Sequence, residues 1–181
     1  MTTPELIEGP SLSLRLVTPE DADYIHALRL NPDFNVHLSQ VTGTVEDQRN
    51  WIDSYKRREA EGREYYYVIQ RRGGGRCGVV RLYDIQGDRF TWGSWILDGN
   101  KPPKAALESA VLSLGVGFDI LGCQMALIDV RKENHRALSF YRRFGMTEID
   151  EDADNYYFEL SAKRFEDQRI GFREILRKDA P

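Results

Sequence analysis

Residues 130–146, VRKENHRALSFYRRFGM, give the clearest indication of the fold. An apolar run that contains Leu127, Ile128 and Val130 leads into it and predicts a buried strand. Asn134 is a residue type that favours the start of a helix, and Gly145 is the type that most often ends one. The sequence therefore predicts a strand that is followed directly by a short helix.

One face of that predicted helix carries both a polar and an aromatic side chain. Ala137, Leu138 and Tyr141 follow Asn134 at offsets of three, four and seven residues, and such positions lie on the same side of a helix. An amide at the helix start and a phenol two turns later could therefore contact one ligand.

The rest of the chain separates into blocks of strand and helix periodicity. Capping patterns at Thr18 and Thr44 predict helices that reach about Leu30 and Glu59. Alternating or β-rich runs predict strands at residues 12–16, 65–71, 77–83, 90–97, 146–149 and 156–160. Helical spacing returns at residues 107–121 and again after Ser161.

These blocks predict an α+β fold with a mixed central sheet of about seven strands and helices on both faces. The parallel part should lie at the fourth and fifth predicted strands, because only there does a helix return the chain in the same direction. Ligands favour such a place in a sheet. The length of 181 residues predicts one domain over residues 1–181.

Composition narrows the class of protein. The chain is 41% hydrophobic and 30% charged, with a formal net charge of -4, which argues against broad nucleic-acid binding. Cys77 and Cys123 lie in apolar contexts without metal-ligand spacing, so we expect buried thiols, a reducing compartment and no metal. No signal peptide or membrane span is indicated. We therefore expect a cytoplasmic protein with small-molecule partners, no nucleic acid and no membrane, and a homodimer is left open.

The strand, Asn134, the tyrosine seven residues later and the Phe-Gly-Met exit together resemble a segment of the GNAT superfamily of N-acetyltransferases. The order of elements over the whole chain is similar as well. The segments ALESA at 106–110 and WGSW at 92–95 resemble most closely the branch that acts on nucleotide-linked amino sugars. The resemblance implies the GNAT fold, a sheet split between predicted strands four and five, and acetyl-CoA as co-substrate.

The same resemblance implies which residues bind CoA. Backbone N–H groups near Ile96 and Leu97 would polarise the acetyl carbonyl, while Asn134 and Tyr141 would contact the coenzyme from the helix. The pyrophosphate would lie at a helix N-terminus, where the first backbone N–H groups favour an anion. The residues expected there are Lys101, Lys104, Ala105 and Ala106.

This phosphate-binding loop departs from the family pattern of glutamine or arginine, two residues, glycine, one residue, then glycine or alanine. Asn100 and Pro103 would stand in the earlier places, and only Ala105 is kept. Because each proline lacks an N–H donor, binding would depend more on N–H groups from Lys104 onward and on lysine charge. A proline-started helix with solvated lysines would explain the same residues without a ligand.

Tyr141 is the candidate general acid, because a phenol can donate a proton to a departing thiolate at neutral pH. Asp129 is the candidate base, since its spacing from Tyr141 resembles that of the strand carboxylate in ribosomal-protein acetyltransferases. An exposed strand residue would explain Asp129 equally well. Asp84, Glu64, His37 or water alone are the alternatives for the base.

The central strands are rich in aromatic residues, and some of these side chains should face the site while others pack in the core. Exposed members could stack on a sugar or a nucleobase, and Arg81 or Arg29 could meet phosphate oxygens. The aromatic residues are Tyr65, Tyr66, Tyr67, Tyr83, Trp92 and Trp95.

We therefore predict acetyl transfer to the primary amine of a small acceptor, with a nucleotide-linked amino sugar as the leading candidate. The alternatives are a protein N-terminus as acceptor and a noncatalytic acyl-CoA-binding module.

Overall fold

The computed structural model describes residues 5–38 and 41–178. The described residues form one sheet of eight strands in the order β1-β2-β3-β4-β5-β6-β8-β7. The strands are β1 (Leu6–Glu8), β2 (Leu12–Leu16), β3 (Tyr65–Arg71), β4 (Arg76–Gln86), β5 (Arg89–Leu97), β6 (Met125–Arg131), β7 (Thr147–Glu151) and β8 (Asn155–Ser161).

Six α-helices accompany the sheet within the described residues. They are α1 (Ala22–Leu30), α2 (Pro32–Asn35), α3 (Val45–Ala60), α4 (Ala105–Gly115), α5 (His135–Phe144) and α6 (Ala162–Arg177). Five were predicted, whereas the short helix α2 and strand β1 were missed. Asn31 ends α1 as expected, but its side-chain oxygen also accepts a hydrogen bond from the backbone N–H of Asp33 at 2.9 Å and so starts α2.

Helices cover both faces of the sheet, as the α+β prediction required. On one face α4, α5 and α6 pack on residues such as Trp92, Ile128 and Phe158. On the other face α1 and α3 pack on a separate cluster that includes Tyr66 and Val79. The extra strand β1 pairs with β2 at the sheet edge, and three residues are too few for a clear alternation in the sequence.

The parallel pairing is brief, and this creates the main opening in the sheet. Strands β5 and β6 pair over three positions only, from Arg89 with Met125 to Thr91 with Leu127. Strand β5 nevertheless continues to Leu97 and β6 to Arg131. The two strands therefore separate beyond Thr91 and Leu127. Because β1 was not predicted, β5 and β6 are the predicted strands four and five, and the separation lies where it was expected.

A bulge distorts β5 beside this opening. Val79 pairs with Ile96 and Arg81 pairs with Gly93, so two residues of β5 oppose one residue of β4. Ser94 in the bulge has a φ of 48°, in the left-handed region. A bulge of this kind bends a strand and redirects its side chains, and it often lies next to a functional site.

We expect substitutions of Ser94 to change the stability by different amounts, according to how well each new residue tolerates a positive φ. Ser94→Val should lower the free energy of unfolding by about 1–2 kcal/mol, because a β-branched residue tolerates positive φ poorly. Ser94→Gly should change it by less than about 1 kcal/mol, because glycine adopts this conformation readily. Urea unfolding of both variants measures the difference, and an equal loss in both would contradict the role assigned to the backbone.

Candidate active site

Helix α5 begins and ends as the sequence predicted. The Asn134 side-chain oxygen accepts a hydrogen bond from the backbone N–H of Ala137 at 3.2 Å. Gly145 ends the helix with a φ of 96°, and its N–H donates to the carbonyl oxygens of Tyr141 and Arg142. The capping role of Asn134 is thus confirmed, while its contact with the coenzyme stays a prediction.

Tyr141 points into the aromatic core beside the opening and is only 6% exposed. Its ring centroid lies 6.0 Å from that of Trp92, 5.9 Å from that of Phe158 and 6.4 Å from that of Trp95. Burial raises the pKa of Tyr141 well above its ordinary value, and the charge of Asp129 raises it further. The phenol is therefore a protonated donor across the physiological pH range.

Asp129 lies on β6 with its side chain exposed, between the buried residues Ile128 and Val130. The alternation places it on the sheet face opposite to α4, α5 and α6. Its charge raises the pKa of Tyr141 and also that of Tyr83 on β4, after the larger effect of burial. The two residues proposed as acid and base thus lie within electrostatic reach, across the point where β5 and β6 separate.

Tyr83 is a further phenol at this opening. A Cβ atom placed on Gly93 would lie 3.2 Å from the Tyr83 hydroxyl oxygen, so the phenol covers the bulged part of β5. The guanidinium of Arg81 lies 4.1 Å from the Tyr83 ring centroid. Of the six aromatic residues considered from the sequence, Tyr83 and Trp95 are half-buried, whereas Tyr65, Tyr66, Tyr67 and Trp92 are core residues.

The alternative bases lie in different environments. Glu64 is buried, and its carboxylate is 2.6 Å from Arg58 Nε and 3.2 Å from Arg81 Nη1. Two guanidinium groups therefore engage its oxygens, which weakens the case for Glu64 as a base. Asp84 is exposed with a φ of 47°, and His37 is half-buried in the turn that follows α2.

The segment before α4 has fewer available backbone donors than its sequence suggested. The N–H of Lys101 donates to the carbonyl oxygen of Asp98 at 3.3 Å, and the N–H of Ala105 donates to that of Pro102 at 3.3 Å. Glu108 then makes the first hydrogen bond of the helix ladder, to Lys104. The N–H groups of Ala106 and Leu107 are left in the first turn without a described partner, as an anion site requires.

The two lysines of this segment differ in their contacts. Lys101 is exposed. Lys104 adopts the left-handed conformation with a φ of 63°, and its Nζ donates to the carbonyl oxygen of Ile175 near the end of α6 at 2.8 Å. The ammonium group of Lys104 is therefore tied to α6, and phosphate contact by either lysine stays a prediction.

The residues Ile96 and Leu97 occupy the last part of β5. They pair with Val79 and Gly78 of β4, and no strand pairs with them on the side of β6 within the described residues. The backbone there borders the opening, which is necessary if its N–H groups are to polarise the acetyl carbonyl. That role of the backbone stays a prediction.

Sequence reasoning missed how two distant segments are joined beside the opening. Trp92 Nε1 donates to Ser113 Oγ at 2.8 Å, and Trp95 Nε1 donates to Ser109 Oγ at 3.1 Å. These bonds connect the WGSW segment of β5 with helix α4. These bonds fix the bulged part of β5 relative to helix α4. The only sequence signal of this contact was the presence of polar serines on an apolar helix.

The sequence of the chain matches the profile of the acetyltransferase (GNAT) domain over residues 11–147. The chain belongs to the GNAT acetyltransferase family. Members of this family transfer an acetyl group from acetyl-CoA, so the chain is an acyltransferase that uses this co-substrate. The site fits the coenzyme, because the strands part beside Tyr141 and unpaired N–H groups stand at the start of α4. Comparison with curated proteins gives no match.

Among solved structures, the chain is similar to FdhC in its apo form, described as a nucleotide-linked sugar GNAT. The sequence identity is 37% and the TM-score is 0.87, over 94% of this chain and 98% of that chain. A spermidine N-acetyltransferase from Vibrio cholerae in complex with CoA and spermine is 18% identical with a TM-score of 0.76, over 87% of this chain and 99% of that one. A GCN5-related N-acetyltransferase from Brucella melitensis is 17% identical with a TM-score of 0.78, over 97% and 87%.

The described residues form no helix with the length and apolar character needed to cross a membrane. No group of three or more histidine, cysteine, aspartate or glutamate residues among them is arranged to hold a metal ion. Cys77 and Cys123 are free and buried, as predicted.

Proposed function

We propose that residues 1–181 form one N-acetyltransferase domain that moves an acetyl group from acetyl-CoA directly to the primary amine of a nucleotide-linked amino sugar. The observation that carries the choice of acceptor is the 37% identity, over 94% of the chain, to a nucleotide-linked sugar GNAT. The segments WGSW and ALESA, which suggested the same branch, meet beside the opening through the Trp95–Ser109 hydrogen bond.

Tyr141 acts as the general acid in this proposal. As the C–N bond of the product amide forms and the C–S bond of the thioester breaks, Tyr141 gives its hydroxyl proton to the departing sulfur. Burial and the charge of Asp129 keep the phenol protonated until that moment. Proton exchange with water restores the phenol afterwards.

Asp129 accepts the proton that the amine loses, directly or through a water molecule. Its exposed carboxylate lies on the face of the sheet that is not covered by α5. An amine that enters from this face meets the carboxylate, while Tyr141 approaches from the opposite side of the separated strands. Tyr141 thus gives a proton to the departing sulfur, and Asp129 takes one from the attacking amine. No covalent acyl-enzyme forms in this reaction.

The Asp129→Asn variant should lower kcat at neutral pH by about 10-fold, because water remains as an alternative proton acceptor. Steady-state kinetics of both proteins at neutral pH test this, and an unaltered kcat in Asp129→Asn contradicts the role of Asp129 as the base.

The proposal for CoA uses the residues that border the opening on β5 and α4. The N–H groups of Ala106 and Leu107 and the positive end of α4 would hold the pyrophosphate, with charge from Lys101 and Lys104. Backbone near Ile96 and Leu97 would bind the acetyl carbonyl, with Asn134 and Tyr141 on the other wall. These assignments suit a ternary complex, in which positioning supplies much of the rate.

A thiol-release assay with acetyl-CoA tests the acceptor. The panel contains free amino sugars, nucleotide-linked amino sugars and peptides with free N-termini. We expect kcat/KM to be highest for a nucleotide-linked amino sugar. A preference for peptides would instead support the protein N-terminal alternative, and the absence of turnover with every acceptor would contradict the proposal.

A further inference from the structure

A cavity of about 450 Å³ lies between the end of α1, the segment around α2 and the end of β6. Its lining combines two guanidinium groups and one amide with aliphatic side chains. The lining residues are Arg29, Leu30, Asn35, Val36, Leu38, Val41 and Arg131. A surface with these features suits a ligand that has both an anionic part and a flat apolar part.

The charge of the cavity is positive. No aspartate or glutamate is among the described lining residues. Arg131 is exposed, and its side chain has no described ion pair or hydrogen bond within residues 5–38 and 41–178. The positive charge of Arg29 also reaches the hydroxyl of Tyr66, where it opposes the burial that raises the pKa of that phenol. Paired guanidinium forks bind phosphate oxygens with matched geometry.

The aliphatic part of the cavity is unusually accessible. Leu30 is 47% exposed and Val36 is 71% exposed, although both are large hydrophobic side chains. They lie beside the arginines in the same cavity. A nucleobase attached to a diphosphate would cover apolar surface of this kind while its phosphates meet the guanidinium groups.

The cavity is also at the right place relative to the reaction centre. Arg131 follows Asp129 by two residues on β6, so both side chains leave the same face of the strand. Their Cα atoms are separated by about 6.6 Å, from a rise of about 3.3 Å per residue. This separation is close to the width of one sugar ring.

We propose that Arg29 and Arg131 bind the diphosphate of the nucleotide-linked acceptor, with the nucleobase on Leu30 and Val36. The sugar ring then extends along β6 from Arg131 to Asp129, which brings its amine to the opening beside Tyr141. This inference rests on the proposed function and adds the position and orientation of the acceptor. Of the two arginines considered from the sequence, Arg29 lines this cavity and Arg81 does not.

The first experiment measures binding without catalysis. Uridine and thymidine diphosphates are titrated calorimetrically into the full chain with saturating CoA, so that the nucleotide part of the coenzyme fills its own site. We expect the Kd of the nucleoside diphosphate to rise about 10-fold or more in Arg131→Gln, with a smaller rise in Arg131→Lys, which keeps the charge without the fork. Arg89→Gln is the matched control. Arg89 is an exposed arginine at the start of β5, where it pairs with Met125 at the end of β6 that is far from Arg131.

The second experiment separates this inference from the proposed function. In Arg131→Gln the KM for a nucleotide-linked amino sugar should rise about 10-fold, while the KM for acetyl-CoA and the kcat/KM for the free amino sugar stay the same. If wild type prefers the nucleotide-linked sugar but Arg131→Gln keeps that preference and binds nucleoside diphosphate normally, the diphosphate site is wrong and the proposed function stands. If nucleoside diphosphate binding depends on Arg131 but no amino sugar is acetylated, the site stands and the proposed function fails.

Discussion

Replacement of Tyr141 by phenylalanine is expected to lower kcat by about 10²-fold or more while the affinity for CoA stays nearly unchanged. The substitution removes one hydroxyl group and keeps the ring that packs against Trp92 and Phe158. The departing thiolate then loses its positioned proton donor, which is the contribution that general acid catalysis makes. Steady-state kinetics by thiol release, together with calorimetric titration of CoA, separate chemistry from binding.

Tyr156→Phe is the matched control for this experiment. Tyr156 is a half-buried tyrosine on β8, where its ring lies 5.0 Å from Lys132 Nζ, and it has no role in the proposed site. The same loss of a hydroxyl there should leave kcat unchanged. An unaltered kcat in Tyr141→Phe would remove Tyr141 as the general acid, and a parallel loss of CoA binding would assign the hydroxyl to binding.

Replacement of Glu108 by alanine is expected to lower the free energy of unfolding by about 3–5 kcal/mol. Glu108 is 2% exposed, and its Oε1 accepts hydrogen bonds from the backbone N–H groups of Ser11 and Leu12, each at 2.8 Å. Hydrogen bonds to a charged group contribute about 1.5–3 kcal/mol each, and their removal leaves donors unpaired in the interior. Urea unfolding at neutral pH measures the loss.

The Glu108→Gln variant separates geometry from charge in this contact. A glutamine keeps an acceptor oxygen of the same reach, so we expect a loss of about 1–2 kcal/mol. If alanine and glutamine destabilise the protein equally, the carboxylate charge and not the pair of backbone bonds holds the N-terminal strands to α4. If neither variant changes the stability, the contact makes no net contribution.

Local sequence signals determined most of the secondary structure and the class of fold. The capping residues Thr44, Asn134 and Ser161 accept the expected hydrogen bonds from their first-turn N–H groups. Each of these signals acts within a few residues, where hydrogen-bonding geometry alone decides the outcome. The change from antiparallel runs to a strand-helix-strand unit likewise predicted where β5 and β6 become parallel.

The residues of the proposed sites that the sequence alone could not reveal depend on contacts between distant segments. Arg131 reads as an ordinary exposed strand residue, and only the fold brings it to the same cavity as Arg29. The same is true of the Tyr83 hydroxyl above Gly93, which requires the register between β4 and β5.

Local patterns in the chain were therefore enough to predict most of the elements and their order, the family resemblance and the candidate acid Tyr141. The folded molecule alone shows how far β5 and β6 pair before they separate, which of the aromatic residues lie in the core, and that Glu108 joins α4 to the N-terminal strands. This difference follows from the distance along the chain over which each kind of interaction acts. Propensity, periodicity and capping are local properties of the chain, whereas register, burial and charge proximity arise only when segments far apart in sequence pack together.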